Sequence, residues 1–393
     1  MSAYPPMYLK TRFYYALLAA GGLIAMIGMY AVYMMEHHGH IITGMNNQIV
    51  WGIPHVFAIF LVVAASGVLN VASIGSVFGK TVYKTRARLA GLLSIAMLAG
   101  GLTVLMLDLG RPDRIIVAAT NYNLTSVFAW NIVLYSGMFG LTAVYLWTMM
   151  ERRMSPWSKP AGFAVFAWRF ILTTGTGLIF AFLIARQAYG SAILPPMFIV
   201  LSFAWGLAVF MVAQTALYAW NEKTLDPAIL QRKARLLGVF ILGSLYMVAT
   251  YHLTNLYFAH QSGFERFILL EGGIYPNLFW WGYVWFGSLL PLLLIYTPGL
   301  GKGICVTAAS LLVTLGGFAL LYVFIIGGQA YPLEIFPGYE VSSSFADGQI
   351  TSYDPSVYEF LLGFGGLAIA FLIATLGVHV LDFMPHDKPH NTD

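Results

Sequence analysis

The sequence predicts an all-α polytopic membrane protein with ten transmembrane helices. Of its 393 residues, 59% are hydrophobic and only 9% are charged, whereas soluble domains carry about 25% charged residues. This composition excludes a soluble globular enzyme. The apolar residues fall into ten runs, each long enough to cross a bilayer as a helix. No stretch of soluble composition separates these runs, so we predict a single integral membrane domain over residues 1–393.

The first apolar run follows the N-terminus and lacks a small-residue cleavage site, so we interpret it as a retained span and not as a signal peptide. Short polar connections separate the later runs. Hydropathy predicts the ten spans, in order, at 14–35, 49–78, 89–108, 125–149, 161–185, 197–219, 236–258, 278–297, 304–326 and 357–381.

An internal repeat divides most of these spans into two groups. Residues 84–91, at the start of span 3, recur as residues 232–238 at the start of span 7, which matches Arg88 with Arg235. Because basic helix starts are common in membrane proteins, chance similarity remains the alternative. We predict a first four-helix unit over 49–185 (spans 2–5) and a second over 197–326 (spans 6–9), with spans 1 and 10 as additions.

The distribution of basic residues predicts the orientation. Ten spans place both termini on one side, and most of the 20 Lys and Arg residues lie on that side. The opposite side carries Arg111, Arg114, Arg186 and Arg266. This bias predicts that both termini lie in the cytoplasm. The net charge of +4 is therefore explained by orientation and does not indicate a nucleic-acid partner.

The longest connection, residues 327–356, is predicted to be periplasmic. It contains Glu334, Glu340, Asp347 and Asp354 but no Lys or Arg. An acidic, aromatic segment of this length is more typical of a docking surface than of a spacer. A merely solvated loop is the alternative.

Two ionisable residues are predicted to belong to a proton pathway. Arg169 lies within span 5 at a depth of roughly 13 Å by helix rise, and a cation at that depth needs a partner or a water-filled cavity. Glu359 lies at the start of span 10. Snorkelling of Arg169 toward the cytoplasmic interface is the alternative.

Polar side chains gather at the outer ends of the first unit. His55 lies near the start of span 2, and about 30 Å of helix separates Asp108 from Arg88, which places Asp108 at the outer boundary. Trp130 and Asn131 lie in the first turns of span 4. An imidazole, a carboxylate, an indole and an amide are therefore expected at one depth.

A quinone headgroup requires such a set: hydrogen-bonding groups for its two carbonyls, a titratable group that exchanges protons, and aromatic walls. We predict His55 and Asp108 as the acid/base residues, and Arg111, Trp130 and Asn131 as further binding residues. The alternatives are a satisfied core histidine, an interfacial belt for Trp130, and an Asp108 that merely pairs with the arginines that follow it.

Cysteine and histidine counts limit the other cofactors. The single cysteine, Cys305, excludes an all-cysteine iron–sulfur cluster. Two membrane haems need two histidine pairs, but only His55 and His252 share the outer depth, and His379 is alone near the cytoplasmic side. One haem between His55 and His252 remains an alternative. The tract 36–40, Glu-His-His-Gly-His, resembles a metal-binding tract but has no fixed secondary-structure frame. Taken together, these observations predict no haem, iron–sulfur cluster or metal in this chain.

Several motifs resemble the NrfD/PsrC family of membrane subunits. Residues 107–112, Leu-Asp-Leu-Gly-Arg-Pro, are similar to the family signature that follows a Gly-rich third span. Residues 327–332 and 353–359 are similar to the ten-span branch with HybB-like and DsrP-like members. The resemblance covers essentially the whole chain.

This resemblance implies a quinone-interacting membrane anchor of a bacterial respiratory complex in the inner membrane, of the kind found in sulfur metabolism, that binds menaquinone or ubiquinone. It implies a periplasmic ferredoxin-like iron–sulfur subunit as the electron partner, which in turn serves a molybdoenzyme, a hydrogenase or a sulfur enzyme. The remaining alternatives are a secondary transporter, a proton-translocating subunit without its own redox site, and a purely structural anchor.

The repeat also predicts which unit holds the quinone site. Asp108 maps onto Asn255 in the second unit, so a titratable carboxylate is matched there by a neutral amide. A proton-coupled site needs groups whose charge can change. We therefore predict the site in the first unit alone, although His252 and Glu271 keep a second site open.

Overall fold

The computed structural model describes residues 11–76, 79, 86–221, 225–333, 336, 339 and 348–381. These residues include ten helices that are long and apolar enough to cross a membrane, which confirms the predicted number. The spans are Arg12–His38, Ile53–Gly75, Ala87–Leu107, Val127–Met150, Arg152–Ala181, Leu194–Trp220, Pro227–Tyr257, Ile274–Tyr296, Ile304–Ala330 and Val357–Val380.

The spans pack as two rings of four helices. Spans 2–5 form one ring and spans 6–9 the other, and the rings meet where spans 2 and 5 pack against span 6. Span 10 packs on spans 2 and 3, and span 1 packs on span 10. Spans 2 and 6 approach closely, since a Cβ on Gly67 would lie 1.7 Å from the Ser202 carbonyl oxygen. Small residues permit such close approach between membrane helices.

Span 7 begins at Pro227, well before the predicted start at residue 236. The Asp226 side chain accepts a hydrogen bond from Ala228 N at 2.8 Å, which caps the helix. The added turns carry Lys233, whose buried ammonium donates to Gln214. The hydropathy prediction missed these turns because their charged residues lower the local mean hydropathy.

Two spans contain π-helical segments, Leu278–Leu289 in span 8 and Tyr322–Gly327 in span 9. In span 9, the Tyr189 hydroxyl donates to the carbonyls of Phe324 and Ile325 at 3.1 and 3.0 Å. These bonds stabilise the irregular backbone at the outer end of the span, as π-helical turns require. The acidic residues Glu334, Glu340 and Asp347 of the predicted docking loop lie outside the described residues.

The predicted orientation can be tested with the native cysteine. Cys305 lies at the start of span 9, and Thr125 is exposed in the connection before span 4, on the predicted outer side. We expect a membrane-impermeant maleimide to label Cys305 only after permeabilisation of cells. The same reagent should label a Cys305→Ser/Thr125→Cys variant in intact cells. The opposite pattern would contradict cytoplasmic termini.

Candidate functional site

A cavity of about 530 Å³ lies at the outer end of the first ring. Its volume is within the range of roughly 300–1,000 Å³ that small-molecule sites occupy. Its walls come from spans 2, 3, 4 and 5, from Trp51 just before span 2, from the connection after span 3, and from Ile325 of span 9. Met106, Leu109 and Phe128 line it, and each of these side chains belongs to a residue that is at least 40% exposed. The cavity is therefore not sealed from its surroundings along this part of its wall.

His55 and Asp108 meet at the wall of this cavity. His55 lies in the first turn of span 2, and Asp108 is the C-cap of span 3. The His55 Nδ1 atom lies 2.7 Å from Asp108 Oδ2, and the Asp108 side chain is fully buried. Because Nδ1 faces the carboxylate, Nε2 is the ring nitrogen that remains for a ligand. The sequence prediction that these two residues lie at one depth agrees with this geometry.

The bonding capacity of this pair is not used up. Despite the 2.7 Å contact, the angles do not satisfy hydrogen-bond geometry, and both Asp108 oxygens lack a hydrogen-bond partner among the described residues. Buried polar groups are normally hydrogen-bonded. Asp108 also does not pair with the arginine that follows it, because Arg111 donates to the carboxylate of Asp113 at 3.1 and 3.2 Å. The imidazole, which lines the cavity, therefore remains available for a ligand, and the buried carboxylate behind it remains available for a proton.

Arg111, one of the predicted binding residues, lines the cavity, and Arg114 lines it as well. The Arg111 guanidinium is exposed and is paired with Asp113. The hydrogen bond from Arg111 lowers the pKa of Asp113, and the same bond raises the pKa of Arg111. Two cations thus lie at the predicted outer boundary of the membrane, and one of them is already neutralised by a carboxylate.

An aromatic wall flanks His55. The Trp51 ring stacks on the His55 ring at a centroid distance of 5.8 Å and an interplanar angle of 24°. Trp51 also meets Phe180 and Phe128 edge to face, at 5.7 and 6.4 Å. These three aromatic side chains line the cavity.

Trp130, the predicted aromatic residue, lies outside the cavity. Its indole donates to the Leu124 carbonyl at 2.7 Å, and its ring contacts Phe182. Consecutive helical residues point about 100° apart. Since Asn131 lines the cavity, the preceding Trp130 is directed away from it.

Asn131 and Tyr135 lie one turn apart on span 4, and both line the cavity. Asn131 Nδ2 donates to the carbonyls of Val127 and Gly175 at 2.9 and 3.2 Å. The Asn131 Oδ1 atom has no hydrogen-bond partner among the described residues, whereas the Tyr135 hydroxyl lies within hydrogen-bonding reach of Thr176. A ligand would therefore find an amide acceptor and a hydroxyl in addition to the imidazole.

Arg169 is buried between spans 2, 5 and 6. Its guanidinium carbon lies 4.6–5.4 Å from the ring centroids of Phe166, Phe170 and Phe203, and Nη1 donates weakly to the Ser66 carbonyl at 3.5 Å. No carboxylate of the described residues pairs with it. Cation–π contacts therefore replace the expected charge partner, and the role of Arg169 in a proton pathway stays a prediction.

Glu359 joins three segments at the outer end of span 10. Its Oε1 accepts from the Tyr353 hydroxyl at 2.5 Å, and its Oε2 accepts from Gly44 N and Ser356 N at 2.8 and 2.7 Å. The Tyr353 hydroxyl in turn accepts from Ile53 N at 2.8 Å. Burial, reinforced by the Glu359 charge, raises the pKa of Tyr353, so this hydroxyl stays protonated and can donate. These bonds favour a structural role, and the predicted proton-pathway role stays untested.

The second ring contains a histidine–carboxylate pair that the sequence analysis did not predict. Glu265 is completely buried on the short helix after span 7. Its Oε2 lies 2.6 Å from His252 Nδ1, and its Oε1 accepts from Asn255 Nδ2 at 2.8 Å. The second unit therefore does contain a titratable carboxylate beside Asn255, contrary to the repeat argument. Glu271, which the sequence analysis named as a candidate for a second site, instead pairs with Arg266 on the surface at 2.6 Å.

This second pair differs from the first in two respects. Both oxygens of Glu265 are already bonded, whereas those of Asp108 are not. His252 lines a cavity of only about 20 Å³, which has room for roughly one water molecule. His55 and His252 line separate cavities, and each directs Nδ1 at its own carboxylate. The geometry favours ligand binding in the first ring.

Some cavity residues were missed by sequence reasoning. Tyr135 and Phe128 lie on the same face of span 4 as Asn131, and the spacing of three and four residues could have identified them. Phe180 and Ile325 come from the ends of two other spans, and no local pattern distinguishes them from core residues.

In the described residues, no group of three or more His, Cys, Asp or Glu side chains could hold a metal ion.

Comparison with known proteins identifies the family. Residues 41–332 match the model described as polysulphide reductase, NrfD. The chain is similar to the Hdr-like menaquinol oxidoreductase integral membrane subunit of Archaeoglobus fulgidus, with 30% identity over 95% of this chain and 94% of that protein. It is also similar to a putative dimethyl sulfoxide reductase membrane subunit of Halobacterium salinarum, with 27% identity over 91% and 89%. A third relative is a selenate reductase subunit of Mesobacillus selenatarsenatis, with 22% identity over 97% and 96%. The motifs and these comparisons agree that the chain belongs to the NrfD family of oxidoreductase membrane subunits.

Proposed function

We propose that this chain is the quinone- or quinol-binding membrane anchor of a respiratory oxidoreductase complex, with its site in the cavity beside His55 and Asp108. The observation that carries the proposal is the buried His55–Asp108 pair, whose hydrogen-bonding capacity is not satisfied. The His55 side of this pair faces an aromatic cavity of about 530 Å³. The similarity to a menaquinol oxidoreductase subunit supports it. Three residues of its wall, Met106, Leu109 and Phe128, are exposed, and a membrane quinone would enter from the lipid on that side.

Bound quinone would supply two-electron redox chemistry, and the residues of the cavity would handle its oxygens and protons. His55 Nε2 would exchange a proton with one of the two quinone oxygens, and Asp108 would stabilise the resulting imidazolium through Nδ1. The Tyr135 hydroxyl and Asn131 Oδ1 would orient the ligand. The stacked Trp51 ring would limit its position.

The electron partner belongs to the same proposal. An iron–sulfur subunit on the periplasmic side would exchange electrons with the quinone and pass them to or from a catalytic subunit. The position of the cavity at the outer end of spans 2–5 supports this arrangement, because it keeps the distance to an outer partner short. The same position favours ligand binding over passage of a substrate across the membrane, and the cavity itself argues against a purely structural anchor.

A cavity-filling substitution tests the proposed site without removing its acid/base pair. Ser136 lines the cavity, so Ser136→Phe should place a ring inside it and weaken binding of heptylhydroxyquinoline N-oxide, a fluorescent quinol-site ligand, by about tenfold or more. The measurement is a fluorescence titration of the purified chain. Val144→Phe is the matched control, because Val144 lies on the same span and is exposed on its outside. Equal affinity in wild type and Ser136→Phe would contradict the assignment of the cavity.

A further inference from the structure

Gln329 attaches the segment that leads into span 2 to the outer end of span 9. Gln329 is completely buried. Its Oε1 accepts from Val50 N and Trp51 N at 3.0 Å each, and its Nε2 donates to the Trp51 carbonyl at 2.9 Å. A second Nε2 bond, also 2.9 Å, goes to Ile325 O in the π-helical part of span 9. Both polar groups of the Trp51 backbone are therefore held by this single side chain.

Two further side chains join the same segments. The Arg186 guanidinium donates to the Gln48 carbonyl at 2.6 Å and to the Gln329 carbonyl at 3.1 Å. Gln48 Nε2 donates to the Ala330 carbonyl at 2.9 Å. The backbone of residues 48–51 is thus fixed to the end of span 9 at several points, and Gln329 makes the contacts nearest to the cavity.

The position of Trp51 determines the surroundings of His55. The Trp51 ring stacks on the imidazole at 5.8 Å and is itself held against Phe180. His55 Nδ1 faces Asp108, so the tilt of the imidazole plane sets the direction of Nε2. A ring that lost its Trp51 neighbour could rotate about the contact with Asp108. Shifts of about 1 Å in a reacting group can cost roughly 10²-fold in rate.

A glutamine meets the requirements of this position. The two N–H groups of residues 50 and 51 need an acceptor, and the carbonyls of Trp51 and Ile325 need a donor. A carboxylate supplies only acceptors, and a methionine of similar shape supplies no N–H donor. Neither replacement can satisfy all four backbone groups.

From this geometry we infer that Gln329 is a positioning residue of the quinone site, which acts through Trp51 on the orientation of His55. The inference rests on the proposed function. It also means that the first-ring site is completed by the second ring, since Gln329 belongs to span 9.

A double-mutant cycle tests this role in the purified full-length chain. We expect Gln329→Met to weaken binding of heptylhydroxyquinoline N-oxide by roughly tenfold in the wild-type background, and by less than about twofold in a Trp51→Ala background. A side chain that acts only through Trp51 has nothing left to position once Trp51 is absent. General destabilisation would weaken binding by the same factor in both backgrounds, and that result would overturn the inference. Unchanged affinity in Gln329→Met would overturn it as well.

Controls separate this inference from the proposed function. Gln187→Met removes an amide from the nearby outer connection whose oxygen has no hydrogen-bond partner among the described residues, and it should leave affinity unchanged. If Gln329→Met does not fold, Arg186→Met removes the outer attachment of the same segment and should show the same non-additivity with Trp51→Ala. If wild type binds and Ser136→Phe does not, but the cycle is additive, only the positioning role fails. If wild type does not bind the probe, both proposals fail.

Discussion

Replacing Asp108 with asparagine is expected to slow quinone-linked electron transfer by about 10²–10³-fold in the intact complex. The introduced amide side chain would have nearly the same size and could still contact His55 Nδ1, so the helices should pack as before. It could not carry a negative charge, however, and an imidazolium formed at His55 would be buried without a counter-charge. The measurement is the steady-state rate with a quinol analogue, normalised to the amount of chain in the membrane. His55→Ala should also lower the rate strongly.

The second ring supplies matched controls for this prediction. Asn255 is the repeat counterpart of Asp108, and Glu265 forms the other buried histidine–carboxylate pair. Asn255→Ala and Glu265→Gln should lower thermal stability, because each disturbs a fully bonded network. Turnover by the folded fraction should remain close to wild type. Normal turnover in Asp108→Asn, combined with loss in Glu265→Gln or His252→Ala, would place the site in the second ring.

The substitution Glu359→Ala is expected to destabilise the chain by about 3 kcal/mol or more. It removes the acceptor of three hydrogen bonds at once and leaves Gly44 N, Ser356 N and the Tyr353 hydroxyl without it. The capping box that starts span 10 would also be lost. The shift in thermal unfolding of the purified chain in detergent measures this effect. An unchanged unfolding temperature would contradict the structural role.

Glu359→Gln distinguishes a structural role from the predicted proton pathway. Glutamine can keep one oxygen toward the backbone N–H groups of residues 44 and 356 while its amide faces Tyr353. We therefore expect a smaller loss of stability than with alanine, and turnover close to wild type. A folded Glu359→Gln complex that loses turnover would instead assign Glu359 to proton transfer. Arg169→Met in the same assay tests the other predicted pathway residue.

The number and order of the spans could be read from the sequence because the bilayer imposes a local requirement. Every spanning segment must satisfy its backbone internally and present about 20 apolar residues. Hydropathy alone therefore identified ten spans. The same reasoning misplaced the start of span 7, where Arg232, Lys233 and Arg235 continue the helix beyond the apolar run.

Part of the candidate site could also be predicted. Helix rise placed His55 and Asp108 near one depth, and the structure brings them within 2.7 Å. Asn131 and Arg111 also line the cavity. Depth does not specify the direction of a side chain around the helix axis, which is why Trp130 was predicted to line a cavity that Trp51 lines instead.

Depth and composition were thus determined by the sequence alone, and only the tertiary structure decided which faces meet. The Trp51 backbone is held by Gln329, 278 positions away, and Ile53 N is bonded to Tyr353, 300 positions away. Glu265 reaches His252 from the short helix that follows span 7, outside the apolar runs. In a membrane, the helix face that contacts lipid and the one that contacts another helix are similarly hydrophobic. Hydropathy therefore cannot distinguish them, and the partners of each polar group depend on how the two rings pack together.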